Sequence, residues 1–317
     1  MNQFKESILG INQESIQKSI IRINQVTIGS TLQELLLKIQ YLIRKKDIIM
    51  ALFGFIGAGN MGYPLLKAAI TTFGSQEVIY TDASMERNQF VMKDTGVAFA
   101  EDNVAVVKQC KYLVLAVKPQ YFPQVLNQIK KVITKDHVVI SIAAGVSIDD
   151  VKNILSESIR VIRIMPNTPA MVLKGMTGVS YSQDEYSEEE KKVADRFFSS
   201  FGRYELFDEK LMNAVVCANG SSPAYVYMFI EALADSVVSY GIPRDKAYIL
   251  AAQTVYGAAA MVLETGEHPG KLKDNVCSPG GTTIAAVKAL EEHGLRNAIM
   301  KATDACYEKA VSLSTKK

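Results

Sequence analysis

Three groups of residues along the 317-residue chain have the types and spacing to do chemistry. The first is Gly57-Ala58-Gly59-Asn60-Met61-Gly62, a G-x-G-x-x-G turn directly after the apolar run Ala51-Leu52-Phe53-Gly54-Phe55-Ile56. Between a strand and a helix, the first glycine of such a turn allows a tight bend. The second lets a pyrophosphate reach the backbone, and the third lets helix and strand pack closely. Free N–H groups at the helix start then meet the phosphates. An ordinary glycine-rich βα turn has the same letters, so it is the flanking pattern that points to a dinucleotide.

The second group follows the later apolar runs: Ala116-Val117-Lys118-Pro119-Gln120, Ala143-Ala144-Gly145 and Met165-Pro166-Asn167-Thr168-Pro169. In open α/β sheets ligands lie outside the carboxyl ends of the strands, so these segments share one rim. Small residues at 143–145 leave room for a flat ring, and Asn167 and Thr168 offer polar contacts. The prolines are explained equally well by loop stiffening. The third group is the run from Leu272 to Ile284, LKDNVCSPGGTTI, in which Ser278-Pro279-Gly280-Gly281-Thr282-Thr283 opens a helix. Exposed N–H groups and hydroxyls at a helix start suit a carboxylate. The plainer alternative is a capped helix, with Thr282 or Thr283 as the cap.

The three histidines, at 137, 268 and 293, lie at a strand start and near helix ends. None is placed as the proton donor of an alcohol dehydrogenase. Reducing a ketone leaves an alkoxide that needs an acid nearby. A protonated cyclic imine becomes a neutral amine once hydride arrives, so positioning supplies much of the catalysis. N–H groups, hydroxyls and a nicotinamide therefore suit C=N reduction better than C=O reduction.

The elements that must hold these groups alternate strand and helix from Met50. Strands are expected at 51–56, 77–81, 112–117, 137–142 and 160–165, with helices at 60–71, 84–94, 122–131 and 148–155. Continuous apolar strands between helices imply a doubly wound, mostly parallel Rossmann-type sheet buried on both faces. Segments 175–181 and 204–207 extend it around a charged helix at 187–200. After about residue 210 the pattern becomes helical and Ala-rich, with helices at 224–240, 245–264, 283–293 and 296–314. Pro223 and Pro243 fall in first helical turns, where proline is tolerated. The expected organisation is an extension at 1–49, a dinucleotide-binding domain at 50–210 and a helical dimerisation and substrate-binding domain at 211–317. A self-contained bundle is one reading of the last part. A homodimer with interleaved helices is favoured, because a lone bundle of these helices exposes much apolar surface.

Composition narrows the class. A net charge of +2, evenly spread, does not suggest a nucleic-acid partner. No run of roughly 18 consecutive apolar residues is present, so no membrane span is expected. Cys110, Cys217, Cys277 and Cys306 are scattered and suggest neither zinc nor disulfides, but free thiols in a cytoplasmic protein. Residues 1–49 are rich in Gln, Ile, Asn and Ser and precede the position where a Rossmann strand normally begins a domain. They carry no signal-peptide pattern, and Glu6, Glu14, Glu34 and Asp47 speak against a transit peptide. Thr31 to Lys46 has the spacing of an amphipathic helix. Met50 is expected to be the working start.

In order and spacing, FIGAGNMG at 55–62, AVKP at 116–119, SIAAG at 141–145, RIMPNTP at 163–169, GSSPAYVY at 220–227 and LKDNVCSPGGTTI at 272–284 resemble pyrroline-5-carboxylate reductases. That family reduces 1-pyrroline-5-carboxylate to L-proline with NAD(P)H, the last step of proline biosynthesis. The resemblance implies that Ser278, Gly281, Thr282 and Thr283 hold the substrate carboxylate. Thr283 would be the catalytic residue, its hydroxyl facing the ring nitrogen. Gly57, Ala58, Gly59, Asn60, Met61 and Gly62 would hold the pyrophosphate, and Ala116, Val117, Lys118, Pro119, Ala143 and Asn167 would border the nicotinamide and its ribose. The substrate turn would meet the coenzyme of the partner subunit, making the homodimer obligatory, and rings of dimers occur in the family. Ser222 departs from the usual GSGPA, and residues 1–49 have no counterpart.

Coenzyme choice divides the indications. Asp82 ends the second strand, twenty residues after Gly62, where a carboxylate binds a ribose 2′-OH and repels a 2′-phosphate. Ser84 and Arg87 pull the other way, since Arg suits phosphate. The resemblance places NADPH slightly ahead, and Asp82 argues for NADH. Competing readings are a broader imine reductase, a β-hydroxyacid dehydrogenase using Lys246 or Lys288, and a sensor that binds NAD(P) without turnover.

Overall fold

The structure is a computed structural model and describes residues 50–315. The amphipathic helix expected within 31–46 and the reading of Met50 as the start concern residues outside the described ones. Residues 50–317 form one compact unit. Its chain order is β1 (Ala51–Ile56), α1 (Gly62–Phe73), β2 (Val78–Thr81), α2 (Met85–Thr95), α3 (Asn103–Val107), β3 (Cys110–Leu115), α4 (Phe122–Ile129), β4 (Val138–Ser141), α5 (Ile148–Leu155), β5 (Arg160–Met165), β6 (Gly175–Tyr181), α6 (Glu188–Ser199) and β7 (Gly202–Leu206). Six helices follow: α7 (Met212–Val215), running into a π turn at Val216–Gly220, then α8 (Pro223–Val238), α9 (Arg244–Thr265), α10 (Pro269–Val276), α11 (Thr282–Glu292) and α12 (Leu295–Thr315).

The seven strands make one sheet in the order β2-β1-β3-β4-β5-β6-β7. All neighbours are parallel except β5 and β6. The inner strands β1, β3 and β4 are apolar on both faces because each face is covered. On one, Leu65, Leu66 and Ala69 of α1 and Phe197 of α6 meet Phe53, Phe55 and Tyr112. There the rings of Phe53 and Phe197 lie 4.6 Å apart. On the other, Val106, Leu126, Ile129, Val151 and Leu155 cover Leu113, Leu115 and Val139.

The sequence pattern located these strands to within two or three residues. It missed α3, a single turn and a half capped by Asp102, whose carboxylate accepts the Ala105 N–H at 2.7 Å. It also missed α7 with its π turn, and α10. All are too short for their periodicity to stand out.

Helices α8 to α12 bury little within one chain. Ala234, Ala247 and Ala251 form a small cluster where α8 meets α9. Phe229, Ile249 and Met300 are 44%, 69% and 61% exposed. Among the described residues α9 is the one helix long and apolar enough to cross a membrane, although no unbroken apolar run made it stand out in the sequence, and it is little buried inside the chain. Apolar faces of this size need an occupant.

At the amino ends of the strands a buried ion cluster ties the sheet together. Glu190 on α6 pairs with Arg160 of β5 at 2.6 Å and with Lys111 of β3 at 3.1 Å. It also closes a capping box by accepting the Ser187 N–H at 2.9 Å. Burial opposes its charge, but the Ser187 N–H and the Lys111 and Arg160 cations outweigh that and hold the carboxyl at about 2, down from 4.5. A depressed carboxyl stabilises the fold above its ordinary value and loses that contribution as pH falls towards the folded one. Glu190→Gln is expected to cost about 3 kcal/mol at neutral pH, since it strands two partly buried cations. Urea titrations between neutral pH and pH near 3 should show a shallower acid loss for the variant than for the wild type; parallel curves would contradict this role.

Candidate active site

A crevice of about 990 Å³ opens at the carboxyl ends of β1, β2 and β3. Strand order reverses between β1 and β3, so this is the switch point where an open α/β sheet leaves room for a ligand. Gly57, Gly59, Asp82, Ala116, Val117 and Lys118 line it.

The turn is built as the glycine spacing requires. Gly57 has φ +95°, and a Cβ there would lie 2.7 Å from the Ala116 carbonyl oxygen. A Cβ on Gly62 would lie 2.2 Å from the Gly57 carbonyl oxygen, so α1 can start this close to β1 only with hydrogen at that position. Above Gly59 there is open space, with no atom within 4 Å of an added Cβ. Gly59 and Asn60 are exposed, while Ala58 is buried. The backbone is open where a pyrophosphate would approach, and α1 has no side-chain cap competing for its first N–H groups. A dinucleotide fits these features.

Asp82 is held rigidly. Its Oδ2 accepts the Ala58 N–H at 2.8 Å and its Oδ1 the Ser84 N–H at 2.9 Å. Buried Asn88 clamps its backbone from both sides, accepting the Asp82 N–H at 2.9 Å and donating to the Asp82 carbonyl at 2.8 Å. Asn88 was not legible in the sequence as a site residue, because an amide in the first turns of a helix is unremarkable until its partner is known. The Ser84 hydroxyl caps α2 by accepting the Arg87 N–H at 3.2 Å. Arg87 packs between the rings of Tyr63 and Phe90, 4.8 Å and 4.9 Å from their centres. Its Nε donates to the Ala58 carbonyl. Ser84 and Arg87 thus border the crevice without lining it.

Other expected residues lie elsewhere. Pro119 starts a short 3-10 turn beside Lys118. Ala143 is buried, and the crevice does not include it. Asn167 is buried too, and its amide is already engaged. It accepts the Met176 N–H at 2.9 Å and donates to the Asn219 carbonyl at 3.2 Å. Asn219 in turn donates to the Met165 and Met176 carbonyls at 2.8 Å and 2.9 Å. The polar contact read for Asn167 is therefore spent on joining β5, β6 and the π turn. A second junction runs through Glu209, which accepts the Ile148 N–H at 2.7 Å and pairs with Arg163 at 3.2 Å.

The turn at 278–283 does not line the crevice of its own chain. Gly281, not a threonine, is the cap of α11, and no side chain bonds there. The alternative that Thr282 or Thr283 serves as a plain cap is therefore overturned, because α11 begins one residue earlier than the pattern suggested. Ser278 and Thr282 are exposed and Thr283 is half-buried. Ser222 takes helical angles, φ −63° and ψ −21°, and its hydroxyl donates to the Ala218 carbonyl at 2.6 Å. Lys246 and Lys288 are exposed and away from the crevice.

Comparison with known proteins matches this geometry. Residues 209–313 fit the family described as pyrroline-5-carboxylate reductase dimerisation. Residues 52–145 fit that described as NADP oxidoreductase, coenzyme F420-dependent. Pyrroline-5-carboxylate reductase of Escherichia coli K12 is 46% identical over 264 residues, covering 82% of this chain and 97% of the relative. That of Pisum sativum is 39% identical over 263 residues, covering 82% and 95%. The solved pyrroline-5-carboxylate reductase of Coxiella burnetii superposes with TM-score 0.77 at 32% identity, covering 84% of this chain and all of that one. The Plasmodium falciparum enzyme, solved with NADP bound, gives 0.75 at 30% identity, covering 84% and 98%. A switch-point crevice with its glycine turn, a helical half with uncovered apolar faces and this degree of identity across both halves place the chain in the pyrroline-5-carboxylate reductase family.

Proposed function

We propose that the chain reduces the C=N bond of 1-pyrroline-5-carboxylate to L-proline, in the cytoplasm, as a homodimer whose sites are shared between subunits. The observation that carries this reading is the separation, within one chain, of the crevice from the turn at 278–283. Both halves are intact, yet one chain does not join them. The exposed faces of α8, α9 and α12 give a second copy somewhere to dock, and docking brings one subunit's turn to the other's crevice.

When bound, the reduced nicotinamide supplies a hydride to the imine carbon. The chain's residues do the rest. Gly57 to Gly62 receive the pyrophosphate on open backbone, and Ala116 to Pro119 border the nicotinamide end. The unbonded N–H groups at the start of α11, with Ser278, Thr282 and Thr283, hold the substrate carboxylate. The Thr283 hydroxyl faces the ring nitrogen and orients it as it becomes a neutral amine. No residue need deliver a proton to an alkoxide, which agrees with the absence of a histidine from the crevice lining.

For the coenzyme, NADH is the reading the local chemistry favours. Asp82 is pinned by two backbone N–H groups and the Asn88 clamp, so it cannot swing away from an incoming 2′-phosphate. Arg87 is committed to Ala58 and two rings, which weakens its pull on phosphate.

Purified protein should oxidise NAD(P)H in the presence of pyrroline-5-carboxylate. Thr283→Ala should lower kcat by about tenfold to a hundredfold, as loss of one positioned hydrogen bond does. Unchanged turnover would remove Thr283 from the mechanism. Asp82→Ser should raise the ratio of kcat/KM for NADPH to that for NADH by about tenfold or more, the scale of one charge repulsion near a phosphate. An unmoved ratio would refute the role given to that carboxylate. Asn88→Ala should raise KM for either coenzyme by about tenfold while leaving kcat within roughly twofold, because it loosens the Asp82 end of the crevice and touches no reacting atom.

A further inference from the structure

Helix α2 presents different faces to different neighbours. Met85 and Asn88, one turn apart, line the crevice. Arg87, Phe90 and Asp94, spaced i, i+3 and i+7, lie on another face, toward Tyr63 and Lys67 of α1. There the guanidinium of Arg87 sits in a notch between two rings, 4.8 Å from the centre of Tyr63 and 4.9 Å from that of Phe90. The rings meet edge to face, their centres 5.6 Å apart. The far end of Tyr63 is tethered. Its hydroxyl donates to Asp94 at 2.5 Å, and Lys67 pairs with the same carboxylate at 3.0 Å. We propose that Tyr63 and Phe90 are specificity-determining residues that hold Arg87 in reserve, so that at the end of β2 an incoming coenzyme meets the Asp82 carboxylate and no guanidinium.

A guanidinium is planar and permanently charged. Its donors form a fixed fork that matches a phosphate, and its flat faces stack on aromatic rings. The two uses compete for one side chain. In the notch Arg87 keeps a single hydrogen bond, from its Nε to the Ala58 carbonyl. The same Ala58 gives its N–H to Asp82 at 2.8 Å. Carboxylate and guanidinium thus grip one residue from its two ends, and Arg87 needs only new side-chain torsions to reach the Asp82 end. Removing a ring weakens the stack and leaves the Asp82 grip on Ala58 untouched. The freed fork then pairs with a 2′-phosphate or neutralises Asp82, and both favour NADPH over NADH. Phe90 is 49% exposed, far more than packing in a core requires, so its ring is spent chiefly on the notch. The inference rests on the placing of the coenzyme ribose at Asp82 given above.

The test titrates the intact protein with NADH and with NADPH by calorimetry, without substrate, so the result does not depend on which imine is reduced. Phe90→Ala should lower the ratio of the NADPH Kd to the NADH Kd by about tenfold, the scale of one charge-assisted hydrogen bond to a phosphate. Tyr63→Ala should act in the same direction, and Phe90→Tyr, which keeps a ring face, should hold the wild-type ratio. Arg87→Ala loosens Ala58 for both coenzymes alike and should move the ratio by no more than about threefold, because a stored guanidinium acts only as a screened, distant charge. In the double variant Phe90→Ala/Arg87→Ala the gain should vanish, for no fork is left to release. A selective collapse of NADPH binding in Arg87→Ala would overturn the proposal, since the guanidinium would then already serve the phosphate. So would a gain that survives the loss of Arg87, or no gain in either ring variant. Asp82→Ser in the same titration keeps the two claims apart: an unmoved ratio there, beside a gain in Phe90→Ala, refutes the carboxylate and leaves the notch standing.

Discussion

A hydrogen atom at position 62 is what the coenzyme crevice depends on. Any side chain there would drive its first carbon to 2.2 Å from the Gly57 carbonyl oxygen. Helix α1 would have to withdraw, and the bend at Gly57, tucked against the Ala116 carbonyl, would open. Ala58 would move with it, and Ala58 is the residue that both Asp82 and Arg87 hold. The glycine turn, the end of β2 and the start of α2 therefore form one rigid corner. Its rigidity comes from backbone contacts and charge-assisted hydrogen bonds rather than from a large apolar cluster. A corner of this kind resists thermal adjustment.

The helical half is organised by the opposite principle. Its helices are amphipathic in a way that no single chain satisfies, for alanines of α8 and α9 meet inside the chain with Ile230, Leu233 and Val237 against them, while Phe229, Ile249 and Leu250 are left exposed. Where the two halves join, polar groups do the fastening. Asn167 and Asn219 knit β5 and β6 to the π turn, and Glu209 ties Arg163 to the first N–H of α5. The π turn is a strained device in most helices and is common beside functional sites. Here it lets Asn219 reach two carbonyls that regular helical geometry would leave unmet.

Much of this was readable from the sequence, and the division follows physical range. The inner strands β1, β3 and β4 were legible because each is apolar on both faces, and the G-x-G-x-x-G turn was legible because all of its requirements fall within six residues. The change at about residue 210 from alternating elements to helices was equally plain. What stayed hidden was every partnership across the fold. Nothing in the letters ties Asn88 to Asp82 or spends the Asn167 amide on Met176 and Asn219. Short elements were lost for a related reason: α3 spans five residues, too few for a period to show. The alternative of a threonine cap fails because α11 starts at Thr282, one residue early, so Gly281 takes the capping position and the hydroxyls are left without a capping bond.

That last displacement has a consequence for chemistry. A threonine whose hydroxyl caps its own helix has its lone pairs committed to backbone N–H groups. With glycine in the cap, no side chain caps the first N–H groups of α11, and the hydroxyls of Thr282 and Thr283 make no capping bond. Gly280, at φ +68°, turns the chain sharply enough for the Gly281 N–H to fold back onto the Ser278 carbonyl at 3.0 Å. The backbone at this helix start is thus turned before any ligand arrives. Preorganised donors cost little to align at the moment of binding, which is why the proposed reaction assigns the substrate carboxylate to this helix start.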